Sequence, residues 1–315
     1  MSRHTFSQKN FSPPFKKVPL LSYQGEKGAF SEIAALRFGE GHPCPTFYDA
    51  FQSLLNGTTD FAILPIENAI GGSVYGVCDS LVEFKKEVEI VGETHIPIQH
   101  TVLGIHGSNI ETASEIASHP QAIMQCQNFL RQHPHLRIIE AYDTAGAALE
   151  VAQLKDPKRL AIASERAAEV YGLSILHPKA ADAGWNKTRF LIFKKSLHHS
   201  HKFGYFQDFV RFIEENDTQF PFKEQMKSRR RLRLRAFFVF KLAKRYEGLD
   251  NFFRGLSRFN IHIEHFTTRP IRHTAFFPVY LLEVSFNRLP NFKLLEAHFQ
   301  KWCKSSELLG LYPLL

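Results

Sequence analysis

Cysteine is scarce in this chain. Only Cys44, Cys78, Cys126 and Cys303 occur among 315 residues, and no two stand in C-x-x-C spacing. That excludes a disulfide framework and a structural zinc site, and it suits a reducing, cytoplasmic setting. No apolar run reaches the roughly 18 residues that cross a bilayer, and no N-terminal stretch has the apolar core of a signal peptide, so no membrane partner is expected. A Walker A loop, G-x-G-x-x-G, H-E-x-x-H and G-x-S-x-G are all absent. Nucleotide, zinc and serine-nucleophile chemistry therefore have no motif to stand on, and neither cofactor nor metal is expected.

What is present is the composition of a globular protein, 44% hydrophobic and 22% charged. At about 150 residues per domain the length suggests two domains. The net charge is +8, and much of it sits in one run, Lys227, Arg229, Arg230, Arg231, Arg233 and Arg235. Arg231, Arg233 and Arg235 alternate with Leu232, Leu234 and Ala236, which is strand periodicity with the arginines on one face. The run reads as a solvated strand; phosphate binding is the alternative, but no nucleic-acid motif accompanies it, and no nucleic-acid partner is expected. Met1 to Gly25 lacks acidic residues. Residues 1–17 are expected to be disordered, with an organelle leader as the alternative reading.

From Val18 to Lys194 short apolar runs alternate with helical stretches. Strands are predicted at 18–23, 61–64, 103–105, 136–139, 160–163 and 190–193, and helices at 30–38, 120–131 and 144–154. That alternation implies an α/β fold with a largely parallel sheet, whose ligands sit in loops beyond the carboxyl ends of strands. Residues 197–230 read as a connector. They hold the cluster His198, His199 and His201, a polar linker or, less simply, a metal site. Beyond it, a strand over 237–242, a helix over 249–258, strands over 261–266 and 276–286, a helix over 291–301 and a last strand over 308–312 give the βαββαβ order of ferredoxin-like modules.

Several local signals carry chemistry. Gly25 to Ser31 follows a strand and opens a helix; Gly28 offers backbone amides, and Ser31 is either a cap or a hydroxyl donor. Glu67 and Asn68 end a strand and precede Gly71 and Gly72, which suits a polar site or, equally, a surface turn. Pro120 stands at a helix start with Gln121 and Gln125 on one face, and His100 is a lone histidine. Asn186, Thr188 and Arg189 precede the apolar strand that Phe190 begins. Thr188 offers a hydroxyl, and Arg189 a bidentate carboxylate clamp or an ordinary salt bridge.

Taken in order, six segments resemble prephenate dehydratase: 23–32 (YQGEKGAFSE), 65–68 (PIEN), 119–122 (HPQA) with Gln125 and Cys126, 161–164 (AIAS), 171–173 (YGL) and 186–191 (NKTRFL). The resemblance implies a dehydratase domain over 18–196, built as two α/β lobes like a type II periplasmic binding protein. A ferredoxin-like ACT domain over 231–315 follows it. The implied reaction converts prephenate to phenylpyruvate, water and CO2 without a cofactor. Thr188, Arg189 and Asn68 are the implied catalytic residues; Gly28, Ser31, Glu67, Gln125 and Phe190 would bind substrate. Arogenate dehydratase and a non-catalytic amino-acid sensor are the alternatives.

The chain also departs from the family pattern. Ala69 stands where the family has a hydroxyl residue, so one hydrogen bond is missing or comes from Ser73. In the ACT domain the effector elements become Glu247-Gly248-Leu249 and Thr267-Thr268-Arg269-Pro270. Phenylalanine would meet Gly248, Leu249, Thr268 and Arg269, but Glu247 brings bulk and repulsion. Weak or absent inhibition is expected, with the domain kept mainly for self-association as a homodimer or homotetramer.

Overall fold

The computed structural model describes residues 18–196, 233–244, 247–259, 261–271, 274–287 and 289–313. The expectations for residues 1–17, the connector at 197–230 with its histidines, and the basic residues before Arg233 lie outside the described residues.

The first lobe is a six-stranded sheet in the order β2-β1-β3-β11-β5, with β4 added to β3. Its strands are β1 (Leu20–Gln24), β2 (Glu40–Cys44), β3 (Phe61–Asn68), β4 (Gly72–Ser73), β5 (Val88–Pro97) and β11 (Lys187–Lys195). Helices α1 (Phe30–Ala35), α2 (Phe47–Leu55) and α3 (Tyr75–Phe84) complete it. The second lobe is a five-stranded sheet in the order β10-β6-β9-β7-β8. It comprises β6 (Thr101–Gly104), β7 (Glu115–Ser118), β8 (Arg137–Glu140), β9 (Arg159–Ala163) and β10 (Ser174–His177), with α4 (Pro120–Met124), α5 (Gln127–Gln132), α6 (Thr144–Leu154) and α7 (Glu165–Tyr171). The chain crosses between lobes twice, from β5 to β6 and back from β10 to β11.

Mixed sheets replace the largely parallel sheet expected from the sequence. β1 pairs β2 and β3 in parallel, but β11 lies antiparallel between β3 and β5. A parallel neighbour needs a crossover helix on the same sheet. β11 instead arrives from the other lobe, so no such constraint sets its direction. The strand β5 has no continuous apolar run, because Gly92, Glu93 and Thr94 interrupt it, although all three are buried.

The predicted helix at 120–131 is broken in two. The backbone N–H groups of Gln127 and Asn128 donate to the Asp182 carboxylate at 3.0 and 2.9 Å, and Asp182 N–H donates to the Gln125 carbonyl at 2.8 Å. A carboxylate at the start of α5 satisfies amides that a continuous helix would bond internally.

The C-terminal unit follows the expected βαββαβ order: β12 (Leu234–Leu242), α8 (Glu247–Leu256), β13 (His262–Ile271), β14 (Thr274–Phe286), α9 (Leu289–Trp302) and β15 (Cys303–Pro313). Its antiparallel sheet runs β13-β14-β12-β15. One sheet face buries Ala236, Phe238, Phe240 and Leu282 under α8 and α9. The other presents Phe237, Val239, Leu281 and Leu309, which share one core with Ile90, Leu191 and Phe193 of the first lobe. Each such side chain stabilises by about 1.5–3 kcal/mol when fully buried, so the sheet is held on the first lobe by a continuous apolar layer. No described helix is long and apolar enough to cross a membrane.

Candidate active site

Between the two lobes lies a cavity of about 490 Å³, a volume suited to a small metabolite. The first lobe contributes Ser31, Thr46, Asn68, Thr188 and Phe190 to its wall; the second contributes His100, Gln121, Gln125, Tyr142 and Asp143. Ser31, Asn68, Gln125, Thr188 and Phe190, all named from the sequence, therefore come together from segments up to 159 residues apart.

A chain of side-chain amides orders the polar wall. The Oδ1 of Asn68 accepts from the backbone N–H groups of Ile70 and Gly71 at 3.1 and 2.7 Å, which settles which end of the amide is oxygen. Its Nδ2 then donates to Asn186 Oδ1 and to Thr188 Oγ1, both at 2.9 Å. Thr188 Oγ1 is an acceptor in that bond, so its own proton is left for a partner in the cavity. Asn186 Nδ2 donates onward to Gln125 Oε1 at 3.0 Å. His100 Nε2 also meets Gln125 Oε1 at 3.0 Å. A carbonyl oxygen only accepts, so His100 carries its proton on Nε2 and Gln125 Nε2 is left facing outward from the chain of bonds. Burial holds the His100 pKa below its ordinary value against the opposing bond to Gln125. His100 and Asn186 thus matter more than the sequence implied; their partners are distant in the chain and left no local signal.

Three predicted site residues stand elsewhere. Along β11 successive side chains alternate faces: Thr188 and Phe190 line the cavity, and Arg189 points away from it. Instead of clamping a ligand, Arg189 makes a bidentate pair with Glu283 of β14, at 2.9 and 2.7 Å, and a further contact with Glu93 at 3.2 Å. Glu67, one residue before Asn68, faces the same way and reaches Arg189 at 3.4 Å. Gly28 is not part of the wall either. Its N–H donates to Glu32 at 2.7 Å, and its carbonyl accepts from Ser164 of the other lobe at 2.5 Å. A Cβ there would stand 2.7 Å from Ala167 Cα, so this glycine serves lobe contact. At Gly71 a Cβ would meet the amide end of Gln121, a flexible side chain that can move aside.

Two readings of local chemistry also change. Ser31 makes no capping bond to α1, leaving it as a wall hydroxyl. Ser73 is not in the wall, so it supplies no substitute for the hydroxyl absent at Ala69. In the C-terminal unit Arg269 pairs with Asp79 of α3 at 2.5 and 2.7 Å and lies 4.8 Å from the Tyr75 ring.

Among the described residues no lysine or arginine lines the cavity. The wall does hold one carboxylate, Asp143, which caps α6 by accepting from the Gly146 N–H. Thr46 and Phe47 open the nine-residue α2, and Asp143 and Thr144 open the eleven-residue α6, all in the wall. The N-terminal end of each helix carries about half a positive charge.

Comparison with known proteins agrees with this architecture. The family model described as prephenate dehydratase matches residues 21–197. The chain is 27% identical over 322 residues to a bifunctional chorismate mutase/prephenate dehydratase of Enterobacter agglomerans, covering 99% of this chain and 75% of that protein. It is 42% identical over 176 residues to arogenate dehydratase/prephenate dehydratase 2, chloroplastic, of Arabidopsis thaliana, covering 55% of this chain and 45% of that one. Among solved structures, prephenate dehydratase from Arthrobacter aurescens in complex with L-Phe superposes with a TM-score of 0.74 at 18% identity, covering 94% of this chain and 92% of that chain. GqqA, described as a novel type of quorum quenching acylase, superposes equally well, with a TM-score of 0.74 at 24% identity, covering 94% of this chain and 98% of that chain. These two likenesses concern fold alone. With residues 21–197, more than half its length, under the family model, the chain belongs to the prephenate dehydratase family.

Proposed function

We propose that this chain is a prephenate dehydratase, converting prephenate to phenylpyruvate, water and CO2. In that reaction the ring carboxylate leaves as CO2, its electron pair enters the ring, and hydroxide departs from C4. One proton turns the hydroxide into water, and aromatisation drives the step. The barrier lies in the developing charge on the departing oxygen, and a hydroxyl donor fixed at that point lowers it. The observation that carries the reading is Thr188, whose oxygen accepts from Asn68 at 2.9 Å and whose proton is thereby free for the leaving group. Gln125 Nε2 and Ser31 supply neutral donors to the substrate's oxygens. The start of α2 offers partial positive charge to the substrate's carboxylates, whereas that of α6 is already capped by the Asp143 carboxylate. This arrangement asks nothing of a metal or cofactor.

The decisive test is turnover of purified protein on prephenate and on arogenate, each with and without phenylalanine. Phenylpyruvate formation from prephenate is expected. Turnover of arogenate alone would transfer the same chemistry to the amino-acid analogue; a plant relative at 42% identity is named for both. No turnover of either would favour a ligand sensor.

The C-terminal unit is proposed to be an ACT domain on its βαββαβ order, and self-association as a dimer or tetramer in the cytoplasm belongs to the same proposal. Arg269, engaged by Asp79, is not free to meet an effector. Together with Glu247 beside Gly248, this supports weak or absent inhibition by phenylalanine. Sharp inhibition at micromolar phenylalanine would contradict it.

A further inference from the structure

We propose that Glu283, contributed by the C-terminal domain, is a positioning residue for Thr188 and acts through Arg189; the inference rests on the reading that Thr188 serves dehydration. On strands β11 and β3, Thr188 stands opposite Asn68, and Arg189 opposite Glu67. The two adjacent register positions thus carry the cavity's hydroxyl–amide pair on one face and an ion pair on the other. Immediately beyond, the register slips. Phe190 faces Pro65, leaving Ile66 as an extra residue. Proline brings no N–H to the ladder, and a bulge disrupts strand pairing. The ladder on the β3 side is therefore interrupted two residues from Thr188, and only the β5 side runs unbroken past it.

Arg189 supplies what the ladder lacks. Its side chain is 6% exposed, and its guanidinium is held from three directions: by Glu283 in two parallel bonds, by Glu93 on β5 and by Glu67 on β3. Such a planar bidentate pair fixes orientation as well as distance. Glu283 is fully buried, and Tyr312 of β15 donates to the same carboxylate. Arg235 of β12 bonds Glu93 at 2.7 Å and approaches Glu283 at 3.5 Å. The side chains that hold Arg189 thus come from both flanking strands of the first lobe and from the C-terminal sheet docked beneath it. A displacement of reacting groups by about 1 Å costs on the order of 10²-fold in rate.

The test uses the full chain and the variant Glu283→Gln, which keeps shape and loses charge. The expected result is a kcat for prephenate about tenfold or more below the parent with KM within about twofold. Glu283→Asp should recover part of the loss. Hydrogen exchange should quicken at residues 187–190 and 67–68, with the second lobe unchanged. The exchange measurement needs no turnover, so it judges the inference even if the parent fails to act on prephenate, a failure that would instead remove the functional reading. Parental kcat and unchanged exchange in folded Glu283→Gln would overturn the proposal. If that variant does not fold, Arg189→Met with Glu283→Leu removes both charges together. Low kcat in the folded double variant supports positioning, and parental kcat shows the bridge to be merely structural.

Discussion

Replacing Thr188 with valine isolates a single oxygen. Valine has nearly the same shape and the same preference for strands as threonine, so β11 and the packing of Phe190 should be untouched. Asn68 Nδ2 loses one acceptor but keeps Asn186 Oδ1 at 2.9 Å and the Lys187 carbonyl at 3.3 Å. With both amide hydrogens still bonded, the cost to stability is that of one neutral hydrogen bond, about 1 kcal/mol. The cost to catalysis should be far larger. Removing a preorganised donor from a developing oxyanion raises the barrier by about 3 kcal/mol, roughly 10²-fold in kcat. Thr188→Ser keeps the oxygen and should retain most of the rate. Phenylpyruvate formation by both variants, measured at saturating prephenate beside a urea unfolding curve, separates the two effects. Near-parental kcat in a folded Thr188→Val protein would refute the assignment of this hydroxyl to the leaving group.

Two further outcomes follow from the same geometry. Arg189→Met should destabilise the protein by about 3–5 kcal/mol, since it leaves the buried Glu283 and Glu93 with one cation, Arg235, between them; an unchanged urea midpoint would show that the network carries no weight. Burial, opposed by Gln125, lowers the His100 pKa, so the folded chain resists a proton that the unfolded chain accepts near pH 6.5. Its stabilising contribution is present above that pH and is lost as pH falls, at no more than about 1.4 kcal/mol per pH unit. Urea midpoints should therefore fall less steeply on acidification in His100→Gln than in the parent, and parallel slopes would contradict this.

Much of the site could be read in advance where a local pattern carried the information. Asn68, Gln125, Ser31, Thr188 and Phe190 each belong to a short segment with its own signature, and all five meet at the cavity. What could not be read depended on partners remote in the chain. Asp182 breaks the predicted helix after Gln125 from more than fifty residues away, by accepting from the amides of Gln127 and Asn128. Glu93 sits in a strand that its own charge concealed, because only Arg189 and Arg235 make a buried carboxylate tolerable there. The arginines of the basic run illustrate the same point. Period-2 alternation placed Arg233 and Arg235 on one face, as observed. That face is not the solvated one expected: Arg235 is 9% exposed, and Arg233 reaches Glu264 at 3.1 Å. Strand alternation likewise separates Thr188 from Arg189, a distinction invisible when the three-residue motif is read as one unit.

The position of β11 has a consequence for how the chain acquires its shape. This strand occupies the interior of the first sheet yet is made after the whole second lobe. During synthesis β3 and β5 therefore emerge with a gap between them, each presenting an unpaired edge, until more than ninety further residues have been added. Closing that gap is a long-range event, slow by its topology and exposed to aggregation meanwhile. The last strand to enter this sheet also carries Thr188, so the hydroxyl proposed to act on the leaving group comes into place only as the first sheet closes.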